Sequence, residues 1–142
     1  MALGPHVPEW AALKKELDAL AKTLRAHFVA VMSTGNVLWC SNRYDDELAD
    51  DFYRSEIAPR RAQLRRGKPI DIAVRLGPST CVARSFAAIY VLVVCVNRHD
   101  KTFDIVRARE EIRRALPRVE ALTVALPPPD PSPADGVEKL RG

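Results

Sequence analysis

Aromatic residues are scarce, at 6% of the 142-residue chain, and none is interleaved with a run of bases. Nucleic-acid binding usually needs a concentrated basic stripe and often stacking aromatics, so that class has little support. The net charge of +4 comes from 22 basic and 18 acidic residues interspersed through most of the chain, which favours solubility over polyanion binding. Long apolar runs are missing too. The longest, Phe86 to Val96, is too short for membrane insertion, since a bilayer takes about 20 residues to cross. Met1 to His6 lacks the charged start and apolar stretch of a signal peptide. Cysteine is limited to Cys40, Cys81 and Cys95, all in apolar, strand-like segments. An odd number in that setting reads as small reduced core residues of a cytoplasmic protein; a cross-strand Cys81–Cys95 disulfide is the alternative.

The standard catalytic signatures are also absent. The chain has no glycine-rich dinucleotide fingerprint, no phosphate loop ending in Gly-Lys-Ser/Thr, no His-Glu-x-x-His, no Cys-x-x-Cys and no Gly-x-Ser-x-Gly elbow. His6, His27 and His99 fall in separate segments without metal-ligand spacing. Ser79 and Thr80 follow Gly77-Pro78 and read as turn residues. A hydrolase using Cys40 or Cys81 would need a nearby histidine that the pattern does not supply. No catalytic residue, cofactor or metal is therefore expected, and a non-catalytic interaction module is.

What is present is ample apolar content, 47% of residues, enough for one domain over 1–126. Residues 127–142 open on Pro-Pro-Pro-Asp-Pro-Ser-Pro and are expected to form a disordered tail. Leu13, Leu17, Leu20 and Leu24 recur at helical spacing after Pro8 and predict a first helix. Phe28–Met32 and Val37–Cys40, joined by Ser33-Thr-Gly-Asn36, predict an antiparallel hairpin. A second helix is expected from a cap at Asn42 to a stop at Gly67, interrupted by Pro59. Strands follow near 70–76, 81–87 and 89–97. A third helix, capped by Thr102 and disturbed at its end by Pro117, carries the stripe Ile105, Ala108, Ile112, Leu116, Val119. Ile70, Ile72, Val74 and Leu76 alternate with polar Asp71 and Arg75, the mark of a strand with one fully buried face, at an edge. Tyr90 to Val96 is apolar throughout and so central.

Charge is segregated along the second helix. Asp45, Asp46, Glu47, Asp50 and Asp51 come first, then Arg54, Arg60, Arg61, Arg65, Arg66 and Lys68. Acids at a helix start and bases at its end complement the helix dipole, at about 0.3–1 kcal/mol each when exposed. In a two-fold dimer the same layout would also favour antiparallel pairing of two copies.

In its order of elements the chain resembles the Roadblock (dynein light-chain) domain over roughly residues 8–123. The likeness rests on the Thr34-Gly35-Asn36 hairpin, the long charged helix before Ile70-Asp-Ile-Ala-Val, and Tyr90-Val-Leu-Val-Val followed by Asp104-Ile-Val-Arg-Ala-Arg. In length and tail it is most similar to the bacterial MglB-like and MglC-like regulators of Ras-like polarity GTPases. The departures are Pro59 and the lack of glycine before Ile89. The resemblance implies an α/β (α+β) sandwich: a five-stranded antiparallel sheet, the first and third helices on one face and the second on the other. It implies a homodimer formed through the second helix and third strand, with Leu48, Phe52, Arg61, Arg65, Ile70, Ile72 and Val74 as expected contacts. The implied partners are a Ras-like GTPase or other Roadblock proteins, with Arg54, Arg107, Arg109 and Arg113 as candidate contacts. The implied role is an adaptor or regulator in cell polarity or motility; the alternative is a GTPase-activating subunit acting directly.

Overall fold

The computed structural model describes residues 8–33, 37–40, 46–96 and 103–125. Its antiparallel sheet forms around the strand with no polar position. The strands are β1 (Phe28–Met32), β2 (Val37–Cys40), β3 (Asp71–Leu76), β4 (Ser79–Phe86) and β5 (Tyr90–Val96), in the order β2-β1-β5-β4-β3. Every residue of β5 is buried, as is every residue of β1 beside it. Side chains alternate between the faces of a strand, so full burial requires cover on both.

The helices supply that cover. α1 (Pro8–Leu24) and α4 (Ile105–Val124) lie on one face, where Leu13, Leu17, Leu20, Ala108, Ile112 and Val119 join Val29, Leu92 and Val94. Against the other face, α2 (Asp46–Phe52) and α3 (Arg61–Arg65) bring Leu48, Phe52 and Leu64 onto Phe28, Ala83 and Val93. Burying each of these large apolar side chains contributes about 1.5–3 kcal/mol.

Between α2 and α3 the helix is re-gauged rather than simply kinked. Tyr53–Ile57 is a π turn, closed by the Ala58 amide donating to the Tyr53 carbonyl, and Ala58–Arg60 is a 3-10 turn holding Pro59. Pro59 has no N–H to donate and its ring crowds the preceding turn, so widening before it and tightening around it keep Ile57 and Leu64 in the same core. At the end of α3, Gly67 has φ +78; its amide donates to Leu64 and that of Lys68 to Gln63, the Schellman closure expected of a helix-ending glycine. Arg25 ends α1 in the same way at φ 54, without a glycine.

Several expectations are corrected. The turn after β3 is only Gly77-Pro78, and Ser79 and Thr80 are strand residues paired with Leu76 and Arg75. Gly77 at φ +60 followed by proline, whose φ cannot be positive, fits the II′ hairpin turn. The cap of α4 is Asp104, whose carboxylate accepts from the Val106 and Arg107 amides at 2.9 and 3.2 Å. Phe103 and Ala108, the positions flanking that cap, share one core cluster, as in a hydrophobic staple. Ile105, placed in the apolar stripe by its spacing, is 36% exposed. Pro117 does not end α4, which continues to Val124. The Asn42 and Thr102 caps, Asp45, the Thr34–Asn36 turn and the tail from Pro127 lie outside the described residues.

The β4–β5 turn spans Ala87 to Ile89, with Ala87 at φ 50 and Ala88 at φ 69, both exposed. A left-handed conformation costs an L-residue about 1–2 kcal/mol, against about 0.4–1 kcal/mol of unfolded-state entropy that glycine adds. Ala88→Gly is expected to raise stability by about 0.5–1 kcal/mol in urea denaturation. A loss of stability would mean that the Ala88 methyl makes contacts outweighing its strain.

Candidate interaction surface

β3 has β4 on one side and, among the described residues, no strand on the other. Its backbone donors and acceptors on that side can bind an added strand. The alternation read from the sequence places Ile72, Val74 and Leu76 toward the α2 side, where they and Tyr53 pack half-buried on the rim of the core. Ala73 meets the α1/α4 side, and Asp71 and Arg75 are exposed. The edge is thus apolar on one face and charged on the other.

The helical segment above it carries the segregated charges. Arg54 pairs with Asp50 at 2.7 Å and Asp51 at 3.4 Å, and Arg60 with Glu56 at 3.0 Å. The Arg54 pairs are about two-thirds exposed, so their net contribution to stability is slight. Arg61, Arg65, Arg66 and Lys68 are exposed and form a basic end next to β3. An open groove of about 810 Å³ separates the start of α2 from the Gly77-Pro78 turn, lined by Glu47, Leu48, Asp51, Arg54, Ser55 and Leu76 among others.

Of the expected dimer contacts, Arg61 and Arg65 are exposed and Ile72 and Val74 half-exposed, all around this edge. Phe52 at 0%, Ile70 at 1% and Leu48 at 8% exposure instead fill this chain's own core and leave little or no surface for a second copy. The reason is geometric. α2 turns Leu48 and Phe52 into the core on this side of the sheet, so the face that carries them is spent within the subunit.

The arginines expected to bind partners are scattered. Arg54 is held by the α2 acids. Arg109 reaches across to β3, its Nε 3.4 Å from Asp71 Oδ1, while Arg84 Nη1 lies 3.6 Å from Asp71 Oδ2. The Arg109 contact has the distance of an ion pair but not the alignment of a hydrogen bond, so its buried Nε is left without one. Arg107 and Arg113 are exposed on α4. The Asp71 junction was not anticipated; its signal was the β3–β4 pairing, which sets Asp71 opposite Arg84. Among the described residues no group of histidine, cysteine, aspartate or glutamate could hold a metal ion, and no helix is long and apolar enough to cross a membrane.

No family model matches the sequence, and no curated protein matches it. Solved structures do. Myxococcus xanthus MglB superposes with a TM-score of 0.61 at 15% identity, over 81% of this chain and 97% of that one. MglC from Myxococcus xanthus gives 0.56 at 18%, over 78% and 98%. A Roadblock/LC7 domain from Streptomyces avermitilis gives 0.55 at 14%, over 78% and 97%. At these identities the likeness concerns the fold: α+β, with an antiparallel sheet, of the Roadblock kind.

Asp71→Ala should lower stability by about 1 kcal/mol or less, because the groups it joins are partly exposed. The loss should shrink as salt rises, as read from urea midpoints at low and high ionic strength. A larger, salt-independent loss would assign the cost to the buried Arg109 Nε rather than to charge pairing.

Proposed function

We propose that this chain is a homodimeric Roadblock adaptor that binds a Ras-like small GTPase, or another Roadblock protein, in the control of cell polarity or motility. The observation that carries this reading is the β3 edge: an outer strand, with no strand beyond it among the described residues, that carries half-buried Ile72, Val74 and Leu76 and is bordered by the basic end of α3, in a Roadblock fold. Two copies pairing along β3 would extend one sheet into a sheet of both subunits and cover these side chains. The likeness to MglB and MglC supports a regulator built on this fold. The protein itself performs no chemistry in this reading; it acts by holding a partner in one arrangement.

Exposed Arg107 and Arg113 favour one second reading, in which the protein acts directly on a bound GTPase by supplying an arginine to the transition state. Such an arginine adds about 10³–10⁵ in rate. Arg54 and Arg109 suit that role less well, because each is already committed to a carboxylate.

Light scattering of the purified chain should give twice 15.8 kDa, and Val74→Lys, which places a charge on the half-buried edge, should weaken the dimer at least tenfold while leaving the circular dichroism spectrum unchanged. A clean monomer at micromolar concentration would sink the proposed assembly. For the partner, GTP turnover by a Ras-like GTPase is measured with and without the protein, beside a direct binding assay. Binding without acceleration supports the adaptor. Acceleration lost in Arg107→Ala or Arg113→Ala supports the second reading.

A further inference from the structure

Cys81 and Cys95 stand directly opposite one another in the β4–β5 ladder, with their Sγ atoms 3.3 Å apart. Both are thiols, both are wholly buried, and both lie on the α2 side of the sheet. Directly opposed residues of antiparallel strands have Cα atoms about 4.5–5.5 Å apart, inside the range that a disulfide accepts. The backbone is therefore already at bonding distance, and the sulfurs need only close the gap from contact to a bond of about 2.05 Å.

We propose that Cys81 and Cys95 form a reversible two-electron redox site, closed to an intrachain disulfide by a small hydroperoxide and reopened by a thiol reductant. One thiolate attacks a peroxide oxygen. The O–O bond breaks, the departing hydroxide takes up a proton to become water, and the attacking sulfur becomes a sulfenic acid. The second thiol then displaces the hydroxyl: the S–S bond forms, the S–O bond breaks, and a second water leaves. Two thiols and one hydrogen peroxide give one disulfide and two waters, with two electrons passing from sulfur to oxygen.

A single buried thiol is ordinarily inert. Here the resolving thiol is in contact with the attacking one, so a sulfenic acid is consumed within the molecule before further oxidation. The open groove lies on the same side of the sheet as the pair. Ser79 and Cys81, two residues apart on β4, share the α2 face, and Ser79 lines the open groove with Leu48 and Leu76. Cys81 is thus about 7 Å along β4 from a residue of that groove, and a local opening of the rim there would admit a small oxidant.

The test uses the full chain, unaltered and, in parallel, as Cys40→Ser so that no third thiol competes. Folded protein is treated with hydrogen peroxide, then denatured and alkylated with N-ethylmaleimide, and its unreduced peptides are weighed. The expected result is a Cys81–Cys95 linked peptide two hydrogens lighter than the separate thiols. Because the bond closes a loop of about 15 residues, the oxidised chain should melt about 5–10 °C higher, and dithiothreitol should abolish the gain. Cys81→Ala and Cys95→Ala should each show no gain; the unaltered pair carries the test should either core substitution fail to fold. The proposal is overturned if both cysteines remain alkylatable after peroxide, if they appear as sulfinic acids without a link, or if linking requires denaturant.

Discussion

Everything in this fold is arranged around β5. It is hydrogen-bonded to β1 on one side and β4 on the other, and it is apolar on both faces. A strand of that composition cannot sit at an edge or face water without a large loss of hydrophobic stabilisation. Two helix layers must therefore exist, and the remaining strands take their places by how much exposure their sequences tolerate. β3, with Asp71 and Arg75 among its apolar residues, takes the outermost place beyond β4.

That ranking explains why the interaction surface lies where it does. The sheet-facing side chains of α1 and α4, and the whole of β5, are covered within the subunit. Around β3, by contrast, Ile72, Val74 and Leu76 are only partly shielded. The ion pairs of Arg54 with Asp50 and of Arg60 with Glu56 hold charges over the rim without closing it. The Asp71 junction to Arg84 and Arg109 ties the outer strand back to β4 and α4, so the edge is positioned even though no strand among the described residues pairs with its outer side.

The sequence made the central and outer strands legible because hydrophobic period and burial are the same physical fact seen twice. It made the break at Pro59 legible through the missing amide, but not its form, since a π turn followed by a 3-10 turn depends on what Ile57 and Leu64 must reach. The cap of α4 lies two residues beyond the one its sequence suggests: Thr102 and Asp104 both suit a cap, and the position of Phe103 against the core selects Asp104. Leu48, Phe52 and Ile70 could not be separated from Ile72 and Val74 as interface residues, because an apolar pattern does not say whether its own chain or another covers it. The Cys81–Cys95 contact was readable in one respect. The two lie symmetrically about Ala88, which a hairpin turn centred there would bring together.

One arrangement bears on how the protein can be handled. α1 ends where β1 begins and α4 starts after β5 ends, and Phe28 is paired with Cys95, so both helices start or finish at the same rim of the sheet. They run in opposite senses across it, joined midway by Arg118 and Glu16 at 2.9 Å. Residues 8 and 125 consequently emerge at the opposite rim, on the face turned away from α2 and α3. A fluorophore, affinity handle or surface tether joined at either position would point away from the α2/α3 helices and their groove, which suits immobilising the protein with those surfaces presented to solution.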